Sequence, residues 1–277
     1  MKANKILFPT DFSEKSKNAL AYAVNLAARM KGELIVFHSS HYPRYSSDIS
    51  LDSIDREYEE RFRQDESKLE RIVGEVRDMN GDVPCRYILK HGMAADNIVS
   101  LVKDEHISLI VIGTGGNEAG NGFLPGSVTA DLVEKASCPV FAIPANAAFK
   151  DFRRVMFASE LSDADVPALC ELSDFAKTFE ADITVLNISD EDDADHYKRY
   201  EEFKDKVVNC LGYDRLEYEH GLNKNILKGI SEYTSGHHPD ALVMATHRRK
   251  GINKLLRPSI TRKMALNTNV PLLALHV

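Results

Sequence analysis

The chain has few cysteines and none in a useful pattern: Cys85, Cys138, Cys170 and Cys210 are scattered over 277 residues, with no Cys-x-x-Cys pair and no Cys/His ligand spacing. A disulfide framework and a zinc site are thereby excluded, and the thiols read as small buried apolar groups. Long apolar runs are missing too, so no stretch reads as a membrane span. Nor is there an excess of positive charge. With 35 Lys and Arg against 42 Asp and Glu the formal net charge is −7, so no overall basic field recruits nucleic acid or an anionic membrane. Met1-Lys2-Ala3-Asn4-Lys5 leads straight into a strand pattern rather than a signal peptide, which makes the cytoplasm the expected location. No Ser/His/Asp or Cys/His set stands in a nucleophile context, and no catalytic residue is assigned.

Apolar residues make up 43% of the chain, ample for packed cores, and the length favours two domains over one. One stretch organises the rest. From Gly113 to Ser127 the chain reads Gly-Thr-Gly-Gly-Asn-Glu-Ala-Gly-Asn-Gly-Phe-Leu-Pro-Gly-Ser, with six glycines from Gly113 through Gly126. It follows Ile107 to Ile112, whose β-branched residues predict a short buried strand of a parallel sheet. Ser127 suits a helix N-cap, and Val128, Leu132 and Val133 give the helix after it one apolar face. Strand, glycine loop and helix start together form an anion-binding device, because bare backbone approaches closely and unpaired N–H groups point outward. Phosphate is the natural guest. The loop meets neither of two familiar phosphate patterns: no Lys follows its glycines, and the last glycine of the dinucleotide fingerprint is missing.

In chain order, Lys5 to Phe8 reads as a buried strand ending in Pro9-Thr10-Asp11-Phe12-Ser13. Ser13 or Asp11 would cap a helix with apolar positions Leu20, Ala23, Val24, Ala27 and Met30, stopped at Gly32. A strand from Leu34 to His38 completes a βαβ unit, which calls for a parallel sheet with right-handed crossovers. Tyr42 to Ser53 has no clear period and is expected to be a loop. Ile54, Tyr58, Phe62, Leu69, Ile72, Val73 and Val76 then mark one face of a long helix, with Asp55, Glu59 and Glu60 on its solvated side. Strands from Cys85 to Leu89 and from Pro139 to Ile143, and a helix carrying Ile98, Leu101 and Val102, complete the first half.

The pattern then starts again. Phe157 to Ser162 lies over Phe8 to Ser13, His220-Gly221 over His91-Gly92, and Ala241 to Ala245 over Leu109 to Gly113. Ser127 precedes Pro139 by twelve residues, and Ser259 precedes Pro271 by twelve. The chain is therefore an internal repeat with a linker near Ala145 to Asp151, and the expected domains are 1–147 and 152–277. Five strands and four helices per copy predict two tandem doubly wound α/β domains, whose ligands bind beyond the carboxyl ends of the strands at the switch point.

Gly113, two residues, Gly116, nine residues, Gly126-Ser127 resembles the nucleotide-binding loop of the ATP-binding universal stress protein family, whose pattern is Gly-x2-Gly-x9-Gly-Ser/Thr. Lys5-Ile-Leu-Phe-Pro-Thr-Asp-Phe-Ser13 is similar to that family's first strand and turn, and Cys138-Pro139-Val140 to the start of its last strand. The resemblance spans nearly the whole chain as a tandem pair. It implies a Rossmann-like fold and a stress-response or regulatory protein that binds ATP, ADP or AMP, with at most slow hydrolysis. Carried over by position, the site would take Pro9, Thr10 and Asp11 after the first strand and Ser39 after the second. It would further take Ile112, Gly113, Gly115, Gly116 and Asn117 in the loop, and Gly126, Ser127 and Val128 at the helix start. Family members pair through their last strands, so Pro139 to Ile143 and Pro271 to Leu275 imply an intramolecular pseudo-dimer, with a homodimer of whole chains as a further partner state.

The residue types suit those roles. Asp11 can accept from sugar hydroxyls or base amines, and Ser127 and the amides after it can donate to phosphate at the positive end of a helix. Asp11 alone would also serve as a helix cap, and the glycines alone as a tight turn; the functional reading rests on their pairing. Where many members have Thr-His-Gly-Arg, this chain has Thr114-Gly115-Gly116-Asn117 and then Glu118. A basic group is lost and an acidic one gained, which favours AMP, ADP, or ATP with Mg²⁺ over bare triphosphate. In the second copy Ala245, Arg248 and Pro258 replace Gly113, Gly116 and Gly126, and Glu160 replaces Asp11. Pro258 has no N–H to donate, so the phosphate cradle is expected to be lost there. Two other readings are a nucleotide-independent scaffold working through protein partners and an adenylate-transferring enzyme of the broader fold group.

Overall fold

The computed structural model describes residues 4–41, 51–115, 127–190, 193–246 and 260–277. The first half runs β1 (Lys5–Pro9), α1 (Glu14–Met30), β2 (Glu33–Ser40), α2 (Leu51–Met79), β3 (Cys85–His91), α3 (Ala94–Asp104), β4 (Leu109–Gly113), α4 (Ser127–Lys135) and β5 (Val140–Ile143). The second runs β6 (Arg154–Ser159), α5 (Asp165–Phe179), β7 (Asp182–Ser189), α6 (Ala194–Cys210), β8 (Leu216–Leu222), α7 (Ile226–His237), β9 (Ala241–Thr246), α8 (Ile260–Asn267) and β10 (Leu272–His276). Each half is a five-stranded parallel sheet flanked by helices, as the repeat predicted. No helix among the described residues is long and apolar enough to cross a membrane.

The strand order is β3-β2-β1-β4-β5-β10-β9-β6-β7-β8. Ladders within each half are parallel, whereas β5 and β10 run antiparallel, with Leu273 opposite Phe141. The inner strands are apolar on both faces because both faces are covered, whereas the edge strands β3 and β8 mix polar with apolar residues and are only partly buried. Ile6, Phe8, Val36 and Val111 face the layer holding Leu20, Leu69, Leu169 and Phe203 of α1, α2, α5 and α6. Their neighbours Leu7, Ile35 and Ile110 face Ile98, Leu132, Ile230 and Met264 of α3, α4, α7 and α8. Each of these two core layers runs through both halves.

Ser13 caps α1, its side chain accepting from the Ser16 N–H, while Asp11 stays outside the helix. The stop signal differs from expectation. The left-handed residue that ends α1 is Lys31 (φ 53°), with Glu180 (φ 52°) in the same place after α5. Gly32 comes one residue later and its N–H closes onto the Ala27 carbonyl at 2.9 Å. The hydrogen bonds of the cap offset a left-handed residue's cost of about 1 kcal/mol. The expected loop from Tyr42 to Ser53 also ends early: residues 51–53 already belong to α2, and residues 42–50 lie outside the described residues.

The overlay of His220-Gly221 on His91-Gly92 fails in the sheet. His91 lies opposite Ser40, but His220 lies opposite Asn187, the counterpart of His38. Asn223 N–H bonds the Ser189 carbonyl (2.9 Å) as Gly92 N–H bonds that of Ser40 (3.1 Å). The matched dipeptides are thus two residues out of register. A two-residue shift keeps side chains on the same sheet face. Both histidines accordingly meet the neighbouring helix: His91 stacks on Phe62 at 4.3 Å, and His220 lies 4.3 Å from His196.

The segment joining the halves is tied to α1. Asn18 donates to the Ala145 carbonyl and Tyr22 to that of Ala148, while Arg29 pairs with Asp151 at 3.0 Å. Phe152, fully buried, then touches Tyr22 and Phe141 from the first half and Phe175 and Phe179 from the second.

Candidate functional site

Strand order reverses between β1 and β4, which pair directly through Ile6 with Leu109 and Leu7 with Ile110. At this switch point the loop after β1 and the loop after β4 emerge side by side. Asp11 is exposed there, its carboxylate accepting from Ser13 N–H (3.0 Å) and Ser13 Oγ (2.6 Å). Gly113 ends β4 against α1: a Cβ there would come within 3.2 Å of the Lys15 carbonyl oxygen, a tight contact for which α1 would have to give by a few tenths of an ångström. Gly115 has φ +89°, a left-handed conformation that favours glycine. Thr129 in α4 donates to the Gly113 carbonyl at 3.2 Å, which fixes the start of that helix beside the end of β4.

The other expected site residues fall into two groups. Gly116, Asn117 and Gly126 lie outside the described residues, as do Glu118, Arg248 and Pro258. Ser127 is the first residue of α4, with Val128 half-buried behind it. Pro9, Thr10, Ser39 and Ile112 are buried. Thr10 Oγ1 accepts from Phe12 N–H (3.0 Å) and bonds Ser16 Oγ (3.0 Å). Ser39 Oγ donates to the Gly92 carbonyl (2.7 Å) and accepts from Asn97 (2.9 Å). Both hydroxyls hold the frame of the cleft.

A set of residues that pattern reading overlooked sets the shape of the Asp11 loop. His38 Nδ1 donates to the Thr10 carbonyl at 2.7 Å, and its Nε2 lies 3.5 Å from Asp65. Asp65 also accepts from Ser40 Oγ and Lys68 Nζ, each at 3.0 Å. Burial by itself would raise the Asp65 carboxyl; hydrogen bonds from His38, Lys68 and Ser40 outweigh it and hold it down at about 2. Phe12, at φ 63°, packs on the His38 ring (4.2 Å) beneath Lys68 (4.9 Å). Asp65 carried a legible signal, since it fills the gap between Phe62 and Leu69 on the apolar stripe of α2. A carboxylate in such a stripe is paired or it is not buried.

The second half builds the same loop from other residues. Leu161 repeats the positive φ of Phe12 at 56°. Asn187, in the place of His38, donates to the Ser159 carbonyl at 2.9 Å. Asp165, in the place of Ser16, accepts from Ser159 Oγ (2.9 Å), Glu160 N–H (2.9 Å) and Ser162 N–H (3.2 Å). Thr261 donates to the Ala245 carbonyl (3.1 Å) as Thr129 does to that of Gly113. Ile188 stands where the first half has Ser39, and Gly229, three residues into α7, where α3 has Asn97.

Reactive chemistry is scarce. Burial pushes the Cys138 thiol up to about 12 and that of Cys85 to about 11, so neither is a thiolate near neutral pH. No group of three or more His, Cys, Asp or Glu suited to a metal ion exists among the described residues, so no protein ligand is assigned to Mg²⁺.

The universal stress protein family model matches residues 2–144 and again residues 151–276. Universal stress protein MJ0577 of Methanocaldococcus jannaschii is 27% identical over 153 residues, covering 50% of this chain and 93% of its own length. Universal stress protein YxiE of Bacillus subtilis is 26% identical over 145 residues, covering 50% of this chain and 98% of its own. Among solved structures, a universal stress protein from Archaeoglobus fulgidus superposes with a TM-score of 0.73 at 19% identity, covering 100% of this chain and 99% of its own, a likeness of fold.

Proposed function

The chain belongs to the universal stress protein family, and from that premise we propose that its first half binds an adenine nucleotide in a regulatory role, at the carboxyl ends of β1 and β4. One observation supports the reading above the rest. Exposed Asp11, the Gly113-Thr114-Gly115 turn and the first turn of α4 converge at the switch point, where a sugar, a phosphate chain and a helix start would each find their partner. His38 and Asp65 act as positioning residues, because they hold the Thr10 carbonyl and hence the Asp11 loop. No residue is assigned to hydrolysis. Glu118 opposes extra negative charge, so AMP and ADP fit better than ATP without a cation. We further propose domains at 1–147 and 152–277 and read the antiparallel β5–β10 ladder as an intramolecular counterpart of subunit pairing, with the second half as the covalent partner.

Isothermal titration of the full chain with ATP, ADP and AMP tests this. Saturable binding is expected, weakened about tenfold by Asp11→Ala and about a hundredfold by Gly126→Pro, which copies Pro258 of the second half. Absence of binding by the unaltered chain with all three would overturn the reading in favour of a nucleotide-independent scaffold.

A further inference from the structure

The second half holds a cavity of about 360 Å³ at the carboxyl ends of β6, β7 and β9. That is within the range of small-molecule sites. Its wall is mainly apolar: Leu186, Ile188, Ile230 and Met244 are buried around it, and Ile226 stands at its mouth, 40% exposed. The apolar character at β7 is built in. A Cβ on Gly229 would come within 2.6 Å of Ile188 Cγ2, and one on Gly221 within 2.7 Å of Ile188 Cδ1. Two glycines thus make room for Ile188 where the first half carries the hydrogen-bonded pair Ser39 and Asn97.

Two of the polar side chains in this wall stand out because they are buried and incompletely hydrogen-bonded. Asn187 and His196 line the cavity at 5% and 2% exposure, and Asn187 Oδ1 and His196 Nε2 are buried without a hydrogen-bond partner among the described residues. Asn187 already donates its amide hydrogen to the Ser159 carbonyl, so its oxygen is fixed as an acceptor in search of a donor. Buried groups of this kind are normally satisfied, and an orphaned one costs about 1–3 kcal/mol. Among the described residues, Glu160 and Asp190 add two carboxylates to the lining against one guanidinium, Arg199. The described part of this lining accepts donors and disfavours a further negative charge beside its carboxylates.

We propose that this cleft binds a compact, largely apolar molecule that carries amino or hydroxyl donors and no negative charge. The proposal stands apart from nucleotide binding in the first half. Aromatic amines and unphosphorylated nucleosides share this chemistry, and the probes separate them. The full chain, with isotope-labelled Ile and Met methyl groups, is titrated by NMR with tryptamine, with adenosine and with AMP. Saturable shifts of the Ile188, Ile226, Ile230 and Met244 methyls are expected with tryptamine, adenosine or both, and binding there by AMP at least about tenfold weaker. Binding in the first half instead moves methyls such as Ile112, so the two sites are read separately. Ile226→Trp blocks the mouth at a partly exposed position and should weaken probe binding about tenfold with circular dichroism unchanged. Glu160→Gln, at an exposed position, should weaken tryptamine several-fold. AMP shifting these methyls as readily as either probe, no saturable shift from any probe, or unaltered binding in both variants would overturn the proposal.

Discussion

At the loop after the first strand the two halves reach one backbone shape with different side chains. The first uses His38 and the buried Asp65, reaching in from α2; the second uses Asn187 and the buried Asp165, reaching in from α5. Phe12 and Leu161 keep a left-handed conformation that bulky residues rarely adopt. The clefts beside these loops have diverged much further. Ser39 and Asn97 give one a hydrogen-bonded wall, whereas Ile188 and Gly229 give the other an apolar one. The frame of such a domain is over-determined, so its polar anchors can be exchanged one for another while the ligand-facing surface changes character.

The largest effect is expected where the two halves are joined. Phe152 contacts aromatic rings of both, so Phe152→Ala should cost about 4 kcal/mol and split a single denaturant transition into two. Retention of one transition at nearly the original midpoint would contradict this. The next largest effect sharpens the contrast between anchors. Asp165→Ala strips the acceptor from Ser159 Oγ and two backbone N–H groups and should cost about 3 kcal/mol, while Ser16→Ala at the matching position should cost about 1 kcal/mol. Equal losses in urea melts would show that the two loops are held alike.

The smallest effect is a pH dependence belonging to the first half. The Asp65 carboxyl falls from its ordinary 3.8 to about 2 on folding. A depressed carboxyl stabilises the fold fully above its unfolded value and loses that contribution as pH drops through the folded one. Asp65→Asn should therefore be about 2 kcal/mol less stable than the unaltered chain at neutral pH, with the gap narrowing from about pH 4 toward pH 2. Paired denaturation midpoints across that range check it; a gap independent of pH removes Asp65 from the loop's support.

Element order and the two-faced burial of the inner strands were legible because β-branched runs and helical stripes report directly on what each face meets. The glycine loop was legible as a pattern, and the packing of Gly113 on α1 adds a tight contact that pattern alone does not contain. Pairing across distance was not legible. His220 looks like the counterpart of His91, yet register is set by strand ladders, which hold His220 and Gly221 inside β8 and leave one extra residue for the capping turn before α7. Lys31 ended α1 in place of Gly32 because cap hydrogen bonds, which leave little trace in local sequence, outweighed intrinsic preference. Asp65 is not marked by charge alone, since α2 carries many acidic residues; only its place between Phe62 and Leu69 on the apolar stripe sets it apart.

Strands inside each half share one direction, and β5 meets β10 head to tail. It follows that the carboxyl ends in the first half lie along one margin of the ten-stranded sheet and those in the second half along the opposite margin. Molecules held in the two clefts would be kept apart by the breadth of the protein, unable to touch or to share one visitor. Communication between them would have to travel through the shared layers of side chains, and a larger partner sensing both would have to approach from two sides.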